Sequence, residues 1–252
     1  MKIRSFISLS VAVAMLFLPA ACSVSSKTSA PLEESQIQPL FTQEQMPDLV
    51  KCLPAPPAPG SPEFAYDSLR YFWGKEQRKD AVRAETAAKD AAWEIDEVFA
   101  RFNEAFGMEI SRSTTPAIRE LLMTGIKTID LIRIHPKAYF HRIRPFEYFN
   151  EHMYSEWEEA GLRGEGSYPS GHTIRAWSIA LMLAEIAPDR AETLYAHAWE
   201  MGQSRVIVGA HWQSDVDNSR AAASIGYSFI QTNPIFRERM EKAKQEYASL
   251  TK

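Results

Sequence analysis

The stretch 173–187 is almost entirely apolar and is interrupted by Arg175 and Glu185. Upstream of it, apolar residues recur at three- and four-residue steps, which is the spacing of one face of a helix. This stripe consists of Ile118, Leu121, Leu122, Ile126, Ile129 and Ile132. Because such a stripe must be buried against other elements, the two segments predict a core made of packed helices.

The residues between the apolar segments predict where helices begin and end. Thr115-Pro116 and Asn233-Pro234 each place a capping residue before a first-turn proline. Gly209 is typical of a helix end, and a further helix is expected from about residue 214 to 230. The period is also helical over residues 80–106.

The composition is consistent with one globular domain. The 252 residues are 45% hydrophobic and 24% charged, which excludes a disordered chain and supports a substantial core. There are only 11 glycines and no series of short valine-rich runs, as an all-β fold would have. The sequence therefore predicts a single compact all-α domain. The net charge of -4 gives no indication of a nucleic-acid partner.

The N-terminus is predicted to be a secretory leader. Lys2 and Arg4 precede an apolar stretch over 6–18, and small residues follow up to Ala21. Two cleavage patterns remain open, an ordinary alanine-type site and a lipoprotein site with a lipid anchor at Cys22. No later segment is expected to span a membrane. The mature protein is thus expected to be periplasmic or secreted, either soluble or tethered to a membrane.

Residues 22–51 are rich in Ser, Gln and Glu and predict a polar tail or linker. Closely spaced prolines from Pro54 to Pro62 predict an extended strap on the surface of the domain. The domain itself is predicted to cover residues 52–252. No role is assigned to Cys52.

A small-residue segment, 164–172, runs directly into the apolar helix. Free backbone N–H groups and the positive end of the helix dipole at such a start form an anion site. Ser170 can add a hydroxyl and His172 a titratable proton.

Two cations upstream could bind the same anion. Lys137 and Arg144 are seven residues apart, so they share a face if the backbone is one helix that ends at Pro145. A planar guanidinium and a point charge could together hold a phosphate. His141 and Arg142 are interpreted as part of a solvated basic surface.

The third cluster lies at 204–215. His211 and Asp215 are four residues apart, so on helical backbone the carboxylate could fix the tautomer of the imidazole and leave its other nitrogen as a nucleophile. Arg205 faces the same site only if the helix breaks between them, and Gly209 is the predicted break. Together, the clusters provide what phosphoryl transfer needs: charge stabilisation, an in-line nucleophile and an acid.

These clusters read Lys-x6-Arg-Pro, Pro-Ser-Gly-His and Ser-Arg-x5-His-x3-Asp, which resembles the signature of the type 2 phosphatidic acid phosphatase superfamily. The sequence around residues 56–61, 166–173 and 202–207 is similar to that of the bacterial class A non-specific acid phosphatases. The likeness covers about residues 52–248. It implies an all-helical fold of the type shared with vanadium haloperoxidases, no cofactor and no metal.

The resemblance also implies residue roles. His211 would be the nucleophile that forms a phosphohistidine, Asp215 its orienting partner, and His172 the general acid and base. The phosphate would be bound by Lys137, Arg144, Ser170, Gly171 and Arg205.

The leading hypothesis is therefore a periplasmic acid phosphatase that hydrolyses small phosphomonoesters, with transfer of phosphate to other alcohols left open. A vanadate-dependent haloperoxidase, a tethered lipid phosphatase and a non-catalytic phosphate-binding protein are the alternatives. Family members commonly self-associate, so a homo-oligomer is expected. The remaining histidines, His135, His152 and His197, are interpreted as surface or core residues.

Overall fold

A computed structural model describes residues 34–252, which belong to one compact unit. The α-helices of this part are α1 (Leu49–Cys52), α2 (Pro62–Gln77), α3 (Ala81–Lys89), α4 (Ile95–Ala100), α5 (Asn103–Phe106), α6 (Pro116–Ile129), α7 (Ile134–Phe140), α8 (Pro145–Tyr148), α9 (Glu156–Leu162), α10 (Gly171–Ile186), α11 (Ala191–Ile207), α12 (Gln213–Ile230) and α13 (Pro234–Leu250). Short 3-10 turns occupy Glu34–Gln36, Gln43–Gln45, Asp130–Arg133 and Pro188–Arg190. Since residues 34–252 contain no strand, the predicted all-α class is confirmed. The leader and residues 22–33 lie outside the described residues.

The core lies where α10 packs against α6, α11 and α12, with α13 covering α6. The predicted apolar stripe of α6 and the turn after it faces this core, and each of its side chains is buried: Ile118, Leu121, Leu122, Ile126, Ile129 and Ile132. Burying an aliphatic side chain of this size contributes about 1.5–3 kcal/mol. The stripe therefore contributes to the packing of α10, the helix that begins at the predicted anion site, together with α11 and α12.

The predicted helix ends are confirmed after residue 190. Helix α11 ends at Ile207, and Gly209 adopts a left-handed conformation with φ +86°. Glycine tolerates this conformation because it lacks a Cβ atom. Asn233 caps α13, its side chain accepting a hydrogen bond from the backbone N–H of Ile235. The break at Gly209 turns the chain so that the segment after α11 can approach the cavity described below.

Two predicted helix features differ in the structure. The helical period over residues 80–106 is divided among three helices, with a turn at Asp90, whose carboxylate is buried against Arg101 and accepts a hydrogen bond from Ser204 at 2.7 Å. At the start of α6, the side chain of Thr115 does not cap the helix. Its Oγ1 instead accepts the backbone N–H of Ser111.

The prediction of a polar tail over residues 22–51 is wrong for the later part of that range. Ile37, Met46 and Leu49 are all buried in the main core. The turn after Glu34–Gln36 is held by Lys127 Nζ, which donates to the carbonyl of Ile37 at 2.8 Å. A few apolar side chains scattered among polar residues show no period, so they gave no signal of burial. The packed domain therefore begins upstream of residue 52.

The proline-rich strap lies along the domain, as predicted. Its carbonyl at Pro54 accepts a hydrogen bond from the hydroxyl of the buried Tyr168 at 2.7 Å. Cys52 is exposed at the end of α1, and Cys22 lies outside the described residues. Within residues 34–252, no helix combines the length and the hydropathy that a membrane span requires.

Candidate active site

A cavity of about 390 Å³ brings the three sequence clusters together. Of the eight predicted site residues, five line it: Lys137, Arg144, Gly171, His172 and His211. The other three, Ser170, Arg205 and Asp215, are fully buried residues that contact the first group or its neighbours. Two larger cavities elsewhere on the described chain, of about 700 and 880 Å³, are lined by no histidine. The histidines and cations therefore mark the smaller cavity as the candidate active site.

His211 lies beside Asp215, although not as two residues of one helix. His211 precedes α12, whereas Asp215 belongs to its first turn and accepts the backbone N–H of Trp212 at 2.9 Å. His211 Nδ1 is 3.4 Å from Asp215 Oδ2, an ion-pair distance without the direction of a good hydrogen bond. The opposite ring nitrogen, Nε2, lies 3.3 Å from Arg144 Nη1. The carboxylate thus sits at the Nδ1 edge, and Nε2 faces the cations.

The interpretation of Arg142 as part of a solvated basic surface is wrong, because its side chain is buried. Its guanidinium lies between Asp215 Oδ1 and Asp67 Oδ2, with 2.6 Å to each. Asp67, on α2, is fully buried and also accepts hydrogen bonds from Ser214. The pairing fixes the carboxylate that contacts His211.

Nothing in the sequence pattern indicated Asp67. The position of Arg142 between Lys137 and Arg144, in contrast, was a signal that Arg142 could belong to the site.

Lys137 and Arg144 converge, but they do not share a helix face as predicted. Helix α7 ends at Phe140, His141 is left-handed with φ 39°, and Arg144 has extended backbone. Pro145 begins the next helix instead of ending this one. Both cations nevertheless donate to the carbonyl of Gly166, Lys137 Nζ at 2.6 Å and Arg144 Nη2 at 3.3 Å.

The crowding of buried cations changes the acidity of these groups. Burial, followed by the neighbouring Arg144, lowers the pKa of Lys137 to about 7. Burial also lowers the pKa of Arg144 to about 10. For His211, burial and then the positive charge of Arg144 hold the pKa well below its usual range. A neutral His211 keeps a lone pair on one ring nitrogen, and an anion would relieve the repulsion among the cations.

Helix α10 begins at the segment that was predicted to bind an anion. Ser170 is the N-cap, and its Oγ accepts the hydroxyl of Thr173 at 3.0 Å and the backbone N–H of Thr173 at 3.4 Å. Gly171 is the first helical residue. A Cβ atom on it would lie 3.2 Å from the side chain of Arg133, a further cation of the cavity wall. Sequence reasoning missed Arg133, because it stands outside the three motifs.

His172 is held by the turn between α3 and α4. Its Nε2 lies 3.0 Å from the carbonyl oxygen of Ala91, and the ring packs edge-on against Trp93 with 4.8 Å between centroids. A carbonyl can only accept, so Nε2 must carry the hydrogen and Nδ1 remains available. Burial, and next the charge of Arg205, hold the pKa of His172 well below its usual range.

Arg205 is fully buried behind the cavity and pairs with an acid that the motifs did not include. Its Nη2 donates to Glu158 Oε2 at 2.7 Å. Glu158 lies on α9, which also lines the cavity with Trp157, Gly161 and Leu162. Of the other histidines, His135 and His152 are exposed, and His197 packs at the edge of Phe102, as the sequence analysis predicted.

Comparisons with known proteins identify the family of this chain. Residues 117–232 match the PAP2 superfamily. The chain is 40% identical to a non-specific acid phosphatase of Providencia stuartii over 81% of this chain and 83% of that protein. It is 36% identical to a non-specific acid phosphatase of Salmonella typhi over 92% and 90% of the two chains. An acid phosphatase of Zymomonas mobilis is 34% identical over 90% and 84%.

The chain therefore belongs to the PAP2 superfamily, as its buried histidine and cation cluster on an all-helical scaffold already indicated. Within it, the chain is an acid phosphatase, a phosphoric monoester hydrolase whose substrates are small phosphomonoesters.

Proposed function

We propose that this phosphatase works through a phosphohistidine on Nε2 of His211. The observation that carries the proposal is the arrangement around that ring, with the Asp215 carboxylate at Nδ1, Arg144 at Nε2, and the charges of Lys137 and Arg205 nearby. A carboxylate at Nδ1 stabilises the tautomer with hydrogen on Nδ1, so Nε2 presents its lone pair. Burial keeps the ring neutral, which a nucleophile requires.

In the first step, Nε2 attacks phosphorus as the bond to the leaving oxygen breaks. The cations Lys137, Arg144 and Arg205, with the Gly171 amide and the Ser170 hydroxyl, stabilise the charge on the three equatorial oxygens. Arg144 Nη1 is the present neighbour of Nε2, so a phosphoryl group between them would contact both the nucleophile and a fixed donor. The product is an alcohol and a phosphorylated ring.

His172 supplies and removes the proton. Its Nδ1 donates to the leaving alkoxide, then takes a proton from the water that attacks phosphorus and breaks the P–N bond. Burial holds the pKa of His172 well below its usual range, which favours the neutral ring in the free enzyme. The required proton therefore enters on the P–OH group of a monoanionic ester and passes to Nδ1 of His172, which then gives it to the leaving oxygen. This predicts an acid optimum, since phosphate monoesters lose their second proton near pH 6.

The proposal extends to location and metal use. A secretory leader over residues 1–21 would deliver the domain to the periplasm or the exterior, with a lipid anchor at Cys22 as the tethered form. A cation cradle built from side chains would make a metal unnecessary for charge stabilisation.

Hydrolysis of an aryl phosphate by residues 23–252 tests the mechanism, with excess EDTA in one arm and His211→Ala in another. Wild-type turnover is expected to persist in EDTA, and kcat of the variant is expected to fall by about 10⁴-fold or more. Acid quench of wild type with labelled substrate should trap label on the protein, and the variant should carry none. Full activity of His211→Ala, or loss of activity in EDTA that Mg²⁺ or Zn²⁺ restores, would refute the mechanism.

The exposed His152→Ala is the matched control for removal of a histidine. It is expected to retain both turnover and the trapped phosphoryl group.

A further inference from the structure

Helix α9 places a carboxylate in the wall of the cation-lined cavity. Glu158 is almost fully buried there, with 8% of its side chain exposed. Its Oε2 accepts from Arg205 at 2.7 Å, and its Oε1 accepts from the hydroxyl of Ser155. Among the residues that line this cavity, Glu158 is the one acid. A buried negative charge beside a site for anions requires an explanation.

Arg205 has room for a second partner. Only Nη2 is used by Glu158, whereas Nε and Nη1 are buried and have no hydrogen-bond partner among the described residues. Leaving such donors unpaired is unfavourable, so these atoms point to a missing acceptor. Two oxygens that accept from one guanidinium lie within about 5 Å of each other. A phosphate oxygen bound by Arg205 would therefore lie next to the Glu158 carboxylate.

The other groups around Glu158 are cations or neutral rings. Across the cavity lie the cations Arg133, Lys137 and Arg144, and the cations can donate to any phosphate oxygen. The histidine nitrogens that face the cavity, Nε2 of His211 and Nδ1 of His172, hold lone pairs on neutral rings. Glu158 is therefore the one group of the cavity wall that would repel a dianion. The other acids of α9 point elsewhere, because Glu156 is exposed and Glu159 pairs with Arg163 and His152.

We infer that Glu158 is a specificity-determining residue that selects the monoanionic, protonated form of the phosphate group. This inference rests on the proposed function of the cavity. A monoanion can donate its P–OH to the Glu158 carboxylate while its other oxygens accept from the cations. A dianion has no proton to donate and places like charges side by side. The same group thus explains why an acid lies in an anion site and why a monoanionic ester is the form that enters.

Binding of two anions at one pH separates this effect from all other titrations. At about pH 5, inorganic phosphate is a monoanion that carries protons, whereas sulfate is a dianion that carries none. Dissociation constants for both are measured by calorimetry on wild type, Glu158→Gln and Glu156→Gln. In Glu158→Gln the new side-chain amide still offers an oxygen to Arg205, and it can donate to sulfate. The exposed Glu156→Gln removes the same charge from the same helix.

Wild type and Glu156→Gln are expected to prefer phosphate. In Glu158→Gln the ratio of the sulfate constant to the phosphate constant is expected to fall at least about tenfold, mainly because sulfate binds more tightly. An unchanged ratio would overturn the inference. Equal weakening or loss of both anions would also overturn it, because Glu158 would then only position Arg205. Calorimetry reports binding without turnover, so failure of the phosphohistidine mechanism would be recognised separately.

Discussion

The helical core and the candidate active site are both buried, but opposite chemistry fills them. Around α6 and α10 the buried side chains are aliphatic, and stability comes from removing them from water. Around His211 the buried side chains are charged, and each is held by a partner of opposite sign or by a carbonyl, as Arg142 is by two aspartates. Burial of charge costs free energy that packing must offset. The comparison teaches that the core provides the stability that allows the site to keep its cations out of water.

Among the exchanges that test this comparison, Arg205→Lys is expected to have the largest effect, and that effect is on catalysis. Lysine keeps the charge and can still pair with Glu158, but it loses the planar donors Nε and Nη1 that have no partner now. We expect kcat/KM for an aryl phosphate to fall by about 10³-fold, with little change in thermal stability. Steady-state kinetics and calorimetric unfolding measure the two effects on the same samples.

Arg190→Lys is the control for this exchange, since Arg190 is about half exposed in a surface turn. It should match wild type. If Arg205→Lys retained wild-type kcat/KM, the guanidinium would be part of the scaffold and not of the site.

The next effect is on stability, from Leu183→Ala in α10. Leu183 is fully buried among the aliphatic side chains of the core. The cavity left behind is expected to lower the free energy of unfolding by about 2–5 kcal/mol, while kcat of the folded fraction stays at the wild-type value. Denaturant titration gives the first quantity and kinetics at low temperature the second.

Leu69→Ala serves as the control, because Leu69 is 68% exposed and its truncation should change stability by less than about 0.5 kcal/mol. A drop in kcat of folded Leu183→Ala would show that core and site are coupled more tightly than the comparison implies.

The same contrast explains how much the sequence could predict. Helices α6 and α10 to α13 were predicted at about their observed positions, and the ends given for helices after residue 170 agree with the structure to within about two residues. Apolar spacing and capping residues mark such helices in the sequence. The short helices α8 and α9 were not found, and the helix considered through Lys137 and Arg144 ends at Phe140 instead of at Pro145. These short helices contain few apolar repeats, and charged side chains hold them in place.

For the site, local motifs identified the residues that the structure brings together, yet not how they meet. His211 and Asp215 were expected on one helix and instead meet across a helix start. Lys137 and Arg144 were expected on one helix face and instead meet at the carbonyl of Gly166. Partners distant in sequence, such as Asp67 for Arg142 and Glu158 for Arg205, leave no local pattern. Only the fold reveals them.

The smallest expected effect is on the pH dependence of anion binding. It is tested by Lys137→Arg, which changes the protonation of one cation of the site. Burial lowers the pKa of Lys137 to about 7, so above that pH the free enzyme holds an uncharged amine that must take up a proton when an anion binds. Anion affinity should then fall by up to about tenfold per pH unit above about pH 7. Arginine stays protonated throughout this range, so the anion affinity of Lys137→Arg should fall less steeply. At pH 8 its loss of affinity should be about tenfold smaller than that of wild type.

Sulfate is the appropriate probe for this titration, because its own charge does not change between about pH 6 and 9. Its inhibition constant against aryl phosphate hydrolysis is measured across that range for wild type, Lys137→Arg and Lys79→Arg. Lys79 is 75% exposed, so its exchange should leave the wild-type slope intact. An identical slope in Lys137→Arg would assign the lost charge to another group. A shallower slope would show that burial lowers the pKa of Lys137 and so sets the pH range of the site. Burial would then have opposite effects in the two regions, since it stabilises the apolar core and weakens the protonation of a lysine in the site.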